Sequence, residues 1–553
     1  MSNSKLENST FSGNNVPKLT RILYPWSGIF RDACYTLIGT FLMQYAITSG
    51  VLSSNPAEFK AQYAVITIAM MIALLWDGIN DPIMGFILEK CHFKAGKFRP
   101  WIQIGAIGNA ITVVLMFVVP SIVGAGWGWG YVGFMIAMYI LWDTCFTMND
   151  IGYWSMLPAL TNDPQKRAKL TTSTAIAASI GAFAMNIAMF VLPGIGLGST
   201  MQVYMFAGIG VAGLFLISQT LVYFLCKERA RDAEQDEVSE KSSILDLFRV
   251  LKKNKELLYA AIGMFLYYFA SFILTGIGQN YYYICMGYGG KQGGMVATVI
   301  SVFYVVGTIV AQALYPMLAK KYTKKQILTV VTIIILAAYV GFFFVAFPVF
   351  GEHPLAYNTV DPTNGFAWVF GGSMFILYAL CFLFFGASGI FYLGCLVMFQ
   401  DAIDYGEWKN GERKESICFA WRPLDVKLAS GFNRGLQYMV YGLTGTVLAI
   451  NAISNWEGIG NALSAAAVST AEKAAINNVV SQNIKVATDT INRGQLVGFG
   501  AIVIGVIVIA FIASYALLRF GYKLDEKKME EIVADLNNKK AAQQGDQPAE
   551  QAA

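Results

Sequence analysis

Along this 553-residue chain the apolar residues come in long unbroken runs, without the one-in-two alternation of a strand or the single stripe of a soluble helix. An α-helix needs about 20 mostly apolar residues to cross the hydrocarbon of a bilayer. Twelve runs of that kind can be read, near 29–51, 63–89, 101–121, 128–150, 171–193, 201–226, 258–286, 294–318, 327–350, 366–400, 427–450 and 497–519. The pattern predicts an all-α polytopic membrane protein of twelve transmembrane helices. After the sixth run comes the longest charged stretch, 227–256, so the chain divides into two six-helix halves, 1–226 and 257–522, joined by a linker. Repetition between the halves is faint: Gly85, Glu89 and Gly96-Lys97-Phe98-Arg99 have a weak counterpart in Leu318, Lys320, Lys321 and Lys325.

Composition agrees with the pattern. Apolar residues make up 56% and charged residues 14%, where soluble domains carry about 25% charged. The net charge of +5 matters less than its placement. On one side of the predicted membrane the basic residues are Lys60, Lys291, Lys473, Lys485 and Arg493. The other side holds the clusters Lys90–Arg99, Lys166–Lys169, Lys227–Lys255, Lys320–Lys325, Lys409–Lys414 and Arg519–Lys540. Loops rich in Lys and Arg stay in the cytoplasm, so both termini and the linker are expected there, with the protein in the plasma membrane. No basic patch is interleaved with stacking aromatics, which argues against a nucleic-acid partner. The cysteines, at 34, 91, 145, 226, 285, 381, 395 and 418, form no CxxC pair, and His92 and His353 are the only histidines. Neither a disulfide framework nor a zinc site is suggested. The polar first 20 residues lack a signal-cleavage pattern, so the first span is expected to be retained.

Three pieces read as solvated additions: the loop 351–365, the insert 451–494 with a surface helix expected over 462–484, and the tail 523–553, helical at first and then disordered.

Charges inside apolar runs carry the chemistry, because an ionised side chain in hydrocarbon is costly and usually serves a pathway. Asp77 and Asp81 stand i, i+4 in the second span and share one helix face. Their oxygens, with the amide of Asn80, suit a hard cation or a shared proton; a salt bridge to an Arg or Lys of another helix is the competing reading. Pro82 should loosen the helix there. In the fourth span Asp143 and Asp150 lie seven residues apart, with Thr147 between them and Trp154 one turn on. A carboxylate beside an indole can hold a sugar, the acid accepting hydroxyls while the ring covers the C–H face; an interfacial tryptophan is the alternative. Arg31-Asp32 opens the first run, where a boundary charge explains it equally well. Lys427 either marks a membrane boundary or pairs with the acids of spans 1, 2 and 4, since buried charge is tolerated only when paired.

Three segments, taken together, carry a resemblance: WDGINDPIMG (76–85) with KAGKFRPWI (94–102), NDIGYWSMLPALTNDPQKR (149–167), and DAIDYGEWKNGERKESI (401–417) followed by Lys427. The chain resembles the glycoside-pentoside-hexuronide:cation symporters of the major facilitator superfamily over roughly residues 20–450 and the last span. The resemblance implies import of a glycoside, oligosaccharide, pentoside or hexuronide together with Na⁺ or H⁺, by a carrier expected to act as a monomer without an organic cofactor. It makes Asp77, Asp81, Asn80 and Thr147 the cation ligands, with Na⁺ favoured. Asp32, Asp150 and Trp154 become the sugar-binding set, with Lys427 between the two sites. Asp163, Arg167, Asp404, Glu407 and Arg413 become the charges that close the cytoplasmic side. The chain also departs from the pattern. Ala175 stands where the melibiose carrier has an arginine, Phe146 where it has a tyrosine, and Arg422 replaces a neutral residue and is a candidate for the missing positive group at the sugar. Among rivals, a lysolipid carrier would need a lipid-sized apolar cleft. A sugar sensor on the same fold is not separated by sequence. An enzyme is not expected, for the chain has no HExxH motif, loop DxD pair or nucleophile elbow.

Overall fold

A computed structural model describes residues 10–11, 16–90, 93, 95–161, 164–192, 198–229, 244–286, 290–356, 369–371, 373–410, 418, 421–466 and 469–545. The helices in chain order are α1 (Lys18–Thr48), α2 (Pro56–Lys90), α3 (Arg99–Val123), α4 (Trp129–Leu160), α5 (Pro164–Val191), α6 (Thr200–Leu225), α7 (Ile244–Lys253), α8 (Lys255–Cys285), α9 (Gly290–Ala319), α10 (Lys324–Ala346), α11 (Met374–Asn410), α12 (Trp421–Thr444), α13 (Thr446–Ala466), α14 (Thr470–Asp489), α15 (Arg493–Ala516) and α16 (Glu526–Gly545). The one strand pairing among the described residues is two residues long, Thr10–Phe11 beside Glu228–Arg229.

Nine of these helices are long and apolar enough to cross a membrane among the described residues, and α12 with the start of α13 forms a bent tenth. Helices α1 and α2, with 31 and 35 residues, complete a twelve-helix fold. They are the two that carry Arg31, Asp32, Asp77 and Asp81. Large apolar side chains face outward along the spans, as Ile111, Ile180, Phe206, Ile217, Ile333 and Ile509 do. Lipid solvates that surface as well as a core would, so what holds the helices together is close packing and interhelical polar bonds.

Helices α1, α3, α4, α5 and α6 pack among themselves, as do α8, α9, α10, α11 and α15; α2 packs on α4 and, across the molecule, on α12. The closest approach joins α1 and α5, where a Cβ placed on Gly181 would stand 1.9 Å from the Ile29 carbonyl oxygen. Between α3 and α4, a Cβ on Gly105 would lie 2.6 Å from the Asn149 backbone nitrogen. Asn149 ties α4 to α3 by donating to the Ile102 carbonyl (2.9 Å) and to α6 by donating to the Gln219 amide oxygen (3.4 Å), while Gln219 donates to the Ser27 carbonyl of α1 (3.3 Å). Asn149 thus fixes the turn of α4 on which Asp150 stands.

Two expectations need correction. The eleventh run is not one straight span: it bends by 94° between Thr444 and Thr446. Gly445 takes a positive φ of 71°, a conformation side chains disfavour. The Thr444 and Thr446 hydroxyls bond each other at 3.0 Å, and Gln495 donates to the Thr444 carbonyl that the bend leaves open. The insert likewise holds two helices, α13 and α14, where one was expected over 462–484. Ser469 and Glu472 form a capping box that restarts the helix at Thr470. The tail begins as a helix, as expected, and α16 is docked on its neighbours: Glu526 accepts from the Lys324 backbone and Trp408 donates to Asp535.

Gly181→Ala should force α1 from α5, because the obstruction is backbone and no rotamer relieves it. Overpacking of this kind costs about 1–3 kcal/mol. The expected result is a lower thermal midpoint of the detergent-solubilised protein, read by loss of the monodisperse peak after heating.

Candidate functional site

Two polar clusters lie between the helices. In the first, Arg31 is buried at 2% exposure, thirteen residues into α1. Its guanidinium donates to Asp32 (2.7 Å and 2.9 Å) and to Asp150 of α4 (2.7 Å). The same group lies over two rings, 4.6 Å from the Tyr153 centroid and 5.0 Å from the Trp154 centroid. Tyr153 stacks flat on Tyr24, 4.5 Å away, and donates to the Tyr24 carbonyl. Both carboxylates predicted to bind sugar are therefore brought together with Trp154, on one arginine. The boundary reading of Arg31 does not stand. Adjacency to Asp32 made it look like a terminal charge, and only the fold shows that Asp150 shares it.

In the second cluster, the Lys427 ammonium of α12 stands 2.8 Å from Asp77 of α2. Thr147 of α4 donates to the other Asp77 oxygen at 3.1 Å. Asp77 and Thr147 are buried, and so is Asp143 one turn earlier on α4. The Asn80 amide nitrogen is buried with no hydrogen-bond partner among the described residues. Lys427 pairs with the span-2 acid Asp77, whereas Asp32 and Asp150 are taken by Arg31. Of the two sequence readings of Lys427, boundary charge or partner of the intramembrane acids, the structure brings it to Asp77, an acid of span 2.

Arg422 donates to the Tyr392 hydroxyl and lies 5.8 Å over that ring. Among the described residues it is not bonded to Asp32 or Asp150; the positive group beside those acids is Arg31. Phe146 packs on Tyr35, 4.8 Å away. The side chains of Asp81 and Arg167 lie outside the described residues, as do Asp163 and Arg413 entirely. Asp404 and Glu407 are half-buried on the last turns of α11. No group of three or more His, Cys, Asp or Glu is placed to hold a metal among the described residues.

A residue that sequence reasoning passed over is Arg434, seven positions beyond Lys427 on α12. It donates to the Gly39 carbonyl of α1, to the Tyr139 hydroxyl of α4 (3.4 Å) and toward the Met70 sulfur of α2 (3.9 Å). The i, i+7 spacing from Lys427 was the available signal.

Comparisons with known proteins bear on the family and the fold. Residues 57–526 match the family model described as MFS/sugar transport protein, and the chain belongs to that family of transporters. The raffinose carrier protein of Pediococcus pentosaceus is 24% identical over 442 residues, covering 78% of this chain and 64% of its own. This chain thus spans just under two thirds of that relative's length. The isoprimeverose transporter of Lactiplantibacillus pentosus is 24% identical, covering 79% of this chain and 83% of its own. The glucuronide carrier protein homolog of Escherichia coli (strain K12) is 23% identical, with 86% and 88% covered. Among solved structures, a bacterial homologue of the lysosomal transporter Spinster aligns with TM-score 0.57 at 12% identity, covering 92% of this chain and 99% of that one. A D-xylose–proton symporter aligns with TM-score 0.51 at 14% identity, covering 81% and 95%. Both likenesses establish the fold.

Removing Arg31 would leave Asp32 and Asp150 as neighbouring half-buried carboxylates. Breaking a fully buried pair by deleting one partner costs about 3–5 kcal/mol, and the cost here is smaller because both carboxylates keep part of their solvent. Arg31→Met should therefore lower folded yield, and adding Asp150→Asn should recover much of it. Size-exclusion yield of the single and double variants checks this.

Proposed function

We propose that the chain is a symporter that couples uptake of a neutral glycoside to entry of Na⁺ or H⁺, acting as a monomer with its basic end in the cytoplasm. The observation that carries the reading is the Asp77–Lys427 contact, a carboxylate of one helix set held by an ammonium of the other. A cation arriving at Asp77, with Asp81 beside it on the same helix face, competes with Lys427 for that carboxylate. Thr147 already contributes one neutral oxygen donor there, and Asn80 is one turn along. Na⁺ fits this oxygen set better than a proton alone would require.

Sugar binding falls to Asp32, Asp150, Trp154 and Arg31. The two acids accept hydroxyl protons, the indole covers a C–H face, and the guanidinium donates to ring or glycosidic oxygens. One arginine between two carboxylates leaves this cluster with a net charge of −1, which disfavours a uronate and favours a neutral sugar. Arg422 on Tyr392 and Tyr268 is the group on which a hexuronide would have to rely. Occupancy of both sites allows the helix sets to rock about the ligands and open toward the cytoplasm. Each ligand then tightens the other by the same factor.

Uptake of labelled glycosides, pentosides and uronates into vesicles tests the proposal, with an imposed Na⁺ gradient, an H⁺ gradient or none. Accumulation of a neutral glycoside under one gradient is expected. Asp77→Asn should abolish accumulation while leaving downhill exchange measurable. If neither gradient concentrates any sugar, the symport reading is wrong.

A further inference from the structure

From α12 and its continuation α13, three contacts cross to α1, α2 and α4 along one line. Lys427 meets Asp77 of α2. Arg434 meets Gly39 of α1 and Tyr139 of α4. Past the elbow at Gly445, Asn451 of α13 donates to the Ile47 carbonyl at the end of α1 (2.8 Å) and accepts from Asn455 (3.1 Å). Lys427 and Arg434 are separated by about 10 Å of helix rise, and Gly39 and Ile47 by about 12 Å. The rungs therefore climb from the middle of the bundle to its less basic end. On α4, Tyr139, Asp143 and Thr147 follow at i, i+4 and i+8, so one stripe of that helix meets Arg434 above and Asp77 below. Asp77 and Arg434 are thus the two ends of a single frame whose sides are α4 and α12.

The chemistry of the upper rung differs from that of the lower. Lys427 holds a carboxylate, whereas Arg434 holds a carbonyl, a phenol and a thioether, and no carboxylate pairs with it among the described residues. Neutral acceptors bind a guanidinium less strongly than an ion pair would in the same setting. The upper rung is therefore the one that can let go without stranding an anion.

We propose that Arg434 is the gating residue that ties occupancy of Asp77 to closure of the less basic, extracytoplasmic end. This rests on the symport reading. With Lys427 on Asp77, α12 is anchored at both heights and that end is shut. When a cation takes the Lys427 position, Arg434 becomes the principal remaining hold on α12, and its release opens the sugar site outward. Arg434 acts through the position of α12 and does not touch the cation.

The test uses Ile66→Cys as a reporter. Ile66 is fully buried and lies on the same α2 stripe as Met70, Ala73 and Asp77, one turn beyond Met70, which Arg434 meets, toward the less basic end. A membrane-impermeant thiol reagent is applied to the full chain in right-side-out vesicles, with labelling counted over that of the protein without the added cysteine. Without sugar or Na⁺, Arg434→Gln should raise labelling by about fivefold or more, a shift in the ordinary range for coupling between two sites. Na⁺ should then change it little. Arg434→Lys should fall between. Sugar affinity should stay near that of the parent while gradient-driven uptake falls at least tenfold. Parent-like labelling in Arg434→Gln overturns the proposal, whether uptake is kept or lost, since loss alone would mean a structural role. Should Arg434→Gln fail to fold, Tyr139→Phe deletes one acceptor without changing charge, and parent-like labelling there overturns it equally. A rise in labelling in a protein that concentrates no sugar under any gradient would sink the symport reading and leave the gate standing.

Discussion

An ion in hydrocarbon must find its counter-charge inside the protein, and that constraint organises this chain. Asp77 cannot stand alone in α2, so α12 must bring Lys427 to within 2.8 Å of it. Asp32 and Asp150 cannot stand near one another, so Arg31 is drawn 2% exposed into the bundle to lie between them. The Asp77–Lys427 and Arg31–Asp150 pairings each join two helices that are distant in sequence. The charges thus do for the interior what apolar contact does in a soluble core: they decide which helix faces lie together. They gather charged side chains of spans 1, 2, 4 and 11 into two clusters between the helices.

Packing serves the same end. Gly181 against the Ile29 carbonyl and Gly105 against Asn149 allow helix backbones to approach where side chains would hold them apart. Arg31 stands two residues beyond Ile29 on α1, and Asp150 follows Asn149 on α4. These two backbone approaches therefore sit beside the first cluster. The aromatic floor of Tyr24, Tyr153 and Trp154 fills the remaining space with faces that a guanidinium or a sugar can lie upon.

Much of the architecture was legible from run length alone, because a helix that must satisfy every backbone group within itself writes its span directly into the sequence. The elbow at Gly445 was not, since Gly-Thr within an apolar run carries no bend signal of its own; the bend depends on Gln495 capping Thr444 from another helix. Asp77, Asp150 and Trp154 were legible as isolated polar or amphipathic residues in apolar surroundings. Pairing was harder. Arg31 stands next to Asp32, and proximity in sequence hid its bond to Asp150 119 positions away. Arg434 stands in a segment with an asparagine and several glycines, where a charge reads as ordinary polarity, and its partners are a backbone carbonyl and a phenol that no charge pattern could announce.

The Asp77–Lys427 contact has a bearing on the journey home. A carrier that has delivered its cargo must return through the membrane with its binding site vacated, and a bare carboxylate there would make that passage costly. If the chain is the symporter proposed above, Lys427 would be a tethered stand-in for the departed cation: it rides on the protein and can neither be lost to the cytoplasm nor accumulate there. On that proposal the charge crossing with each full cycle is that of the cargo ion alone, so a sugar gradient would draw on membrane potential as well as on ion concentration.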